Sequence, residues 1–133
     1  MKNNRTVKRG YLRDKIKYFL FLFILFTCTS SFAGEADVVK VAINKTAARS
    51  YDFSVTVLHK DSGWDHYVNK WDVIDEKGTV LATRILHHPH VNEQPFTRSL
   101  SGVVIPENIN MVTVRAFDSV HAYGGKEKIV TLP

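Results

Sequence analysis

Residues 34–133 of this chain predict an all-β fold, an immunoglobulin/fibronectin-like antiparallel β-sandwich of about seven strands. Three observations carry that expectation. Apolar and polar residues alternate along most of the stretch, and no segment has a helical period. The alternating segments are short and rich in Val, Ile, Thr and aromatic residues, which suits a pleated, half-buried surface. Turn residues punctuate them at regular spacing.

In chain order, the first segment is Val39-Val41-Ile43, alternating with Lys40 and Ala42. The second is Tyr51-Phe53-Val55-Val57, interleaved with Asp52, Ser54 and Thr56. Tyr67 to Ile74 holds Val68, Trp71 and Val73, with Trp71 placed where such sandwiches often keep a core tryptophan. Thr79 to Leu86 follows the Asp75-Glu76-Lys77-Gly78 hairpin turn, where Gly78 suits a positive φ. Leu100 to Ile105, Met111 to Asp118 and Ile129 to Leu132 complete the set, with turns at Pro106-Glu107-Asn108 and Gly124-Gly125.

Residues 1–33 read as a secretory signal peptide and 34–133 as a single domain. The first seventeen residues carry seven Lys or Arg and one acid, Asp14. An apolar run from Tyr18 to Phe26 follows, and Ser31-Phe32-Ala33 has the small-x-small form of a cleavage site. The expected mature N-terminus is Gly34 or a close neighbour. A permanent anchor would need about 20 apolar residues, more than this run supplies, so no membrane span is expected after cleavage. A lipoprotein with Cys28 lipidated is the other alternative. Leu25-Phe26-Thr27-Cys28 has the leucine, but bulky Phe26 and Thr27 stand where small residues are wanted. The expected location is the periplasm or outside the cell.

The leader takes the chain's basic character with it. The whole sequence carries a formal charge of +5, whereas residues 34–133 hold eleven Lys or Arg against twelve Asp or Glu. Nucleic-acid binding therefore has no electrostatic basis. The single cysteine, Cys28, also lies in the leader, so the domain must hold together without a disulfide.

All six histidines lie in the domain: His59, His66, His87, His88, His90 and His121. With strands running alternately up and down, the second-to-third, fourth-to-fifth and sixth-to-seventh connections share one pole. Those three connections hold every histidine, and the opposite-pole connections, 44–50, 75–78 and 106–110, hold none. Imidazole is a common ligand for Zn, Cu and Ni, and carboxylates complete such sites. The expected metal ligands are His66, His87, His88, His90, His121 and Asp65, with Glu93, Asp118 and Arg98 as supporting groups. Cysteine pairs are absent and Met111 is the only methionine after the leader, so Zn(II) or Cu(II) is the best match, and Cu(I) is not. The same inventory also fits a hydrogen-bonded polar loop cluster with no metal.

Trp64, Tyr67 and Tyr123 near this pole suit either a ligand-facing wall or loop packing. Ser99, His121 and Asp118 can be assembled on paper into a hydrolase set, but no nucleophile elbow surrounds Ser99. Nothing in the sequence argues specifically for an enzyme. Gly63-Trp64-Asp65-His66-Tyr67, His88 to Ser99 (HPHVNEQPFTRS) and Asp118 to Gly125 (DSVHAYGG) resemble segments of a family of small exported bacterial proteins of unknown function. The resemblance covers most of residues 51–133. It implies an envelope or secreted location and brings no activity. Three partner classes stay open: a metal ion, an envelope protein, or a glycan.

Overall fold

A computed structural model describes residues 34–133; the expected leader, its cleavage site and Cys28 lie outside the described residues. Seven strands form: β1 Asp37–Ala47, β2 Ser50–Leu58, β3 Val68–Ile74, β4 Val80–Ile85, β5 Phe96–Val104, β6 Met111–Asp118 and β7 Lys128–Thr131. One sheet has the order β1-β2-β5 and the other β4-β3-β6-β7. Every pairing is antiparallel. Among the described residues there is no helix, and none long and apolar enough to cross a membrane. The fourth strand pairs with the third rather than joining the first sheet, which separates this order from that of a constant-type immunoglobulin domain.

The alternation read from the sequence is the burial pattern. Tyr51, Phe53, Val55 and Val57 of β2 face inward and are at most 1% exposed. Val112, Val114 and Ala116 of β6 do the same on the other sheet, and Trp71 of β3 is fully buried in one continuous cluster. Each buried Val or Phe among them contributes about 1.5–3 kcal/mol by leaving water. Residues 34–133 thus carry their own core, which is what a domain without a disulfide requires.

Two strands are longer than the pattern predicts. β1 runs on through Asn44-Lys45-Thr46-Ala47, residues assigned from sequence to a connection. They are exposed on both faces, so no apolar residue marks them, and pairing with β2 as far as Ser50 holds them. β5 starts at Phe96, not Leu100. Thr97, Arg98 and Ser99 pair with Thr56, Val55 and Ser54, and only buried Phe96 supplies the inward signal there.

The site's position follows from strand direction. Asp37 pairs with Leu58, so β1 begins where β2 ends. The N-terminal stretch therefore shares a pole with the β2–β3 connection. The β4–β5 and β6–β7 connections meet it there: His90 N–H donates to Asp61 Oδ2 at 2.7 Å, and Ser119 N–H to the Tyr67 carbonyl at 3.0 Å. At the other pole, the Arg49 side chain donates to the carbonyls of Ile105, Pro106 and Ile109.

Candidate metal centre

His59 follows the last residue of β2 and is buried beneath the loop that leads to β3. Asp61, two residues on, is also buried, and its Oδ1 lies 2.5 Å from His59 Nδ1. Asp61 Oδ1 also accepts the Val68 N–H, and its Oδ2 the His90 N–H. With Nδ1 turned to Asp61, the other ring nitrogen of His59, Nε2, is turned toward His66. Carboxylates bond the non-ligating nitrogen of metal-bound histidines in this same way.

His59 Nε2 faces His66 Nε2 at 3.2 Å, and His66 Nε2 is 3.2 Å from Asp118 Oδ1. Ligand atoms of His59, His66 and Asp118 all lie within 4.8 Å of one another, an arrangement that can hold a metal ion. Two ligands about 2.0–2.1 Å from a tetrahedral zinc are themselves about 3.3 Å apart, so both 3.2 Å separations match an edge of that figure.

Asp118 ends β6 and is fully buried. Its Oδ1 accepts the N–H groups of Val120 and His121 at 2.9 and 2.7 Å. Burial alone would push its carboxyl upward. Those two N–H bonds, with the imidazoles of His121 and His59, outweigh burial and hold it below the usual carboxylate range. Asp118 Oδ2 is buried without a hydrogen-bond partner, an unusual state for an anionic oxygen. His121 flanks the trio on the solvent side, with Nδ1 3.2 Å from Asp118 Oδ1 and its ring centroid 5.0 Å from that of His66.

The gathered set differs from the one read from the sequence. His66 belongs to the trio, and His121 flanks it. Asp118, expected as a supporting group, belongs to the trio itself. His59 was placed at this pole but not among the expected ligands, and the geometry adds it to the group. Its signal was Asp61, at a spacing that lets a carboxylate reach the other ring nitrogen.

His90 and His88 form a neighbouring pair, ring centroids 4.8 Å apart. His90 stacks on Phe96 at 4.0 Å, and its two ring nitrogens are buried without partners. Asp61 separates it from the trio, with His90 Nδ1 3.9 Å from Asp61 Oδ2. His87 is exposed and lines a hollow with Tyr67, Lys70 and Phe117. Asp65 is exposed, and its backbone carbonyl accepts the Ser119 hydroxyl. Glu93 and Arg98 pair with each other at 2.8 Å, and that bond holds the Glu93 carboxyl below its usual range.

The three aromatics divide. Trp64 is 67% exposed and meets Tyr67 edge-on at 5.6 Å. Tyr123 is turned inward: its hydroxyl donates to buried Asp72, and the Arg115 guanidinium lies 3.9 Å over its ring. Ser99 sits on β5 beside Ser54, in a hollow of the β1-β2-β5 sheet, apart from His121 and Asp118.

No family model matches the chain, and no solved structure matches it. A protein of Halomicrobium mukohataei named "Putative lipoprotein" is 41% identical over 96 residues, which are 72% of this chain and 47% of that protein. The chain thus spans about half the length of that relative.

Proposed function

We propose that this protein is an exported, envelope-associated β-sandwich module that holds one Zn(II) or Cu(II) ion at His59, His66 and Asp118. The observation that carries this reading is the trio's spacing beside a buried Asp118 oxygen with no partner. A cation there would give the buried Asp118 carboxylate a counter-charge and would satisfy two facing imidazole nitrogens. Two imidazoles and a carboxylate, without thiolate, suit a borderline divalent ion better than Cu(I), Mg(II) or Ca(II). The envelope location draws on the leader and on the relative's name.

Titration of the processed domain with zinc or copper sulfate by calorimetry tests the reading. One equivalent should bind with micromolar or tighter affinity, and His59→Ala or His66→Ala should abolish it while far-UV circular dichroism stays unchanged. Binding weaker than micromolar, or unaffected by these substitutions, would contradict it.

A second reading keeps the same loops but uses no metal: a binding module for an envelope glycan or protein. Exposed Trp64 favours it, standing against Tyr67 at the rim of a hollow of about 380 Å³ that Asn69, Lys70 and Phe117 also line. Trp64→Ala would then abolish retention on immobilised envelope polysaccharide, whereas the metal reading requires no change in Zn or Cu affinity.

A further inference from the structure

The backbone brings a main-chain nitrogen, that of Gly34, into the neighbourhood of His59. The chain before β1 runs back past His59. A β-carbon built on Gly34 would stand 3.5 Å from His59 Cδ2 and 3.8 Å from His59 Nε2, the ring nitrogen that faces His66. The Gly34 α-nitrogen hangs on the same α-carbon, so it lies within about 6 Å of His59 Nε2.

The stretch is held in place. Ala36 and Val38 are each 1% exposed. Val38 N–H donates to the Lys126 carbonyl at 2.8 Å, and Lys126 N–H to Asp37 Oδ1 at 2.7 Å. The backbone of Ala36 packs so closely on Gly125 that a β-carbon there would lie 2.0 Å from the Ala36 oxygen.

The sequence leads us to expect leader cleavage at Gly34 or a close neighbour, with Ser31-Phe32-Ala33 as the small-x-small site. We infer that this cleavage creates a metal ligand: the α-amine of Gly34 joins His59, His66 and Asp118, and the centre is completed only in the processed protein. Water cleaves the Ala33–Gly34 amide, leaving a carboxylate on Ala33 and an ammonium on Gly34. Metal binding then displaces one proton from that ammonium to solvent. Before cleavage the nitrogen is an amide with no basic lone pair. Afterwards it is an amine with an ordinary pKa of about 7.7–8.0, far easier to deprotonate than a lysine. His121 stands on the solvent side of the trio, whereas Gly34 lies against the His59 ring. An export protein built this way would bind its metal weakly inside the cell and tightly once processed.

The inference rests on the metal reading above and on cleavage at Gly34, and three forms of the protein separate them. One begins at Gly34, one keeps Ser31-Phe32-Ala33, and one begins at an Nα-acetylated Gly34. Zinc and copper sulfate affinities are measured by calorimetry, and Cu(II) ligation by electron paramagnetic resonance. The free-amine form should bind more than about tenfold tighter than the other two, on the scale by which groups around a metal change affinity. Its Cu(II) spectrum should show one more nitrogen ligand. Equal affinities and identical spectra in all three forms would overturn the inference and leave the trio intact. No binding by any form would overturn the metal reading itself. Intact mass of the protein recovered from expressing cells gives the N-terminus, and a start other than Gly34 would also overturn the inference.

Discussion

His59 Nε2 and His66 Nε2 face each other at 3.2 Å, a separation that two bare lone pairs do not tolerate. One proton or one cation must lie between them. Asp61 orients His59, because its Oδ1 faces Nδ1 at 2.5 Å and leaves Nε2 turned toward His66. Without metal, a proton on one of the two nitrogens would bridge them. On the metal reading proposed above, a cation would take its place and the same atoms would serve as ligands.

Asp61→Asn should therefore keep much of the packing but lose the anionic partner of His59, weakening Zn or Cu binding by about 10–100-fold. Asp61→Ala should do more. It strands the N–H groups of Val68 and His90 in the interior, at a cost of about 2–4 kcal/mol. Calorimetry reads the first effect and urea unfolding the second.

His90 gives a pH dependence with a definite sign. Burial, with the charges of Arg98 and His88, holds its imidazole below the ordinary value of 6.5. The unfolded chain then binds more protons than the native one between the lowered value and 6.5, so stability is full above that window and falls as pH drops through it. His90→Phe keeps the stacking on Phe96 and removes two nitrogens that have no partners. It should flatten the fall between pH 7 and pH 5, measured as the shift in urea midpoint relative to wild type.

Tyr123 fastens the loop that carries His121. Its hydroxyl bonds Asp72, which also accepts the Thr83 hydroxyl at 2.6 Å. Tyr123→Phe should cost about 1.5–3 kcal/mol, the range for a hydrogen bond to a charged group, and should leave core packing unchanged by near-UV circular dichroism.

Gly125→Ala tests the seat of the N-terminal stretch. The new β-carbon would meet Ala36 backbone atoms at 2.0 and 2.4 Å, which no side-chain rotation relieves. We expect a loss of about 1–3 kcal/mol and faster hydrogen exchange at Val38, whose N–H bonds Lys126.

The seven-strand sandwich was legible because inward faces such as Tyr51-Phe53-Val55-Val57 repeat with period two. The ends of β1 and β5 were not, because their residues there face solvent and carry no apolar signal. The shared histidine pole followed from strand direction alone. Membership of the site did not, because it depends on which way each ring turns. His59 and His87 both adjoin strand ends, yet one is buried against Asp61 and the other lines an exposed hollow. Tyr123 stayed open between a ligand-facing wall and loop packing because buried Asp72, its partner, lies far off in sequence on β3.

The metal centre is tested most directly by a crystal of the zinc-soaked processed protein, with diffraction recorded on both sides of the zinc edge. A single anomalous peak about 2.0–2.1 Å from both His59 Nε2 and His66 Nε2, and in contact with Asp118, is expected. An anomalous map without a peak there, with His66 still hydrogen-bonded to His59 and Asp118, would contradict it.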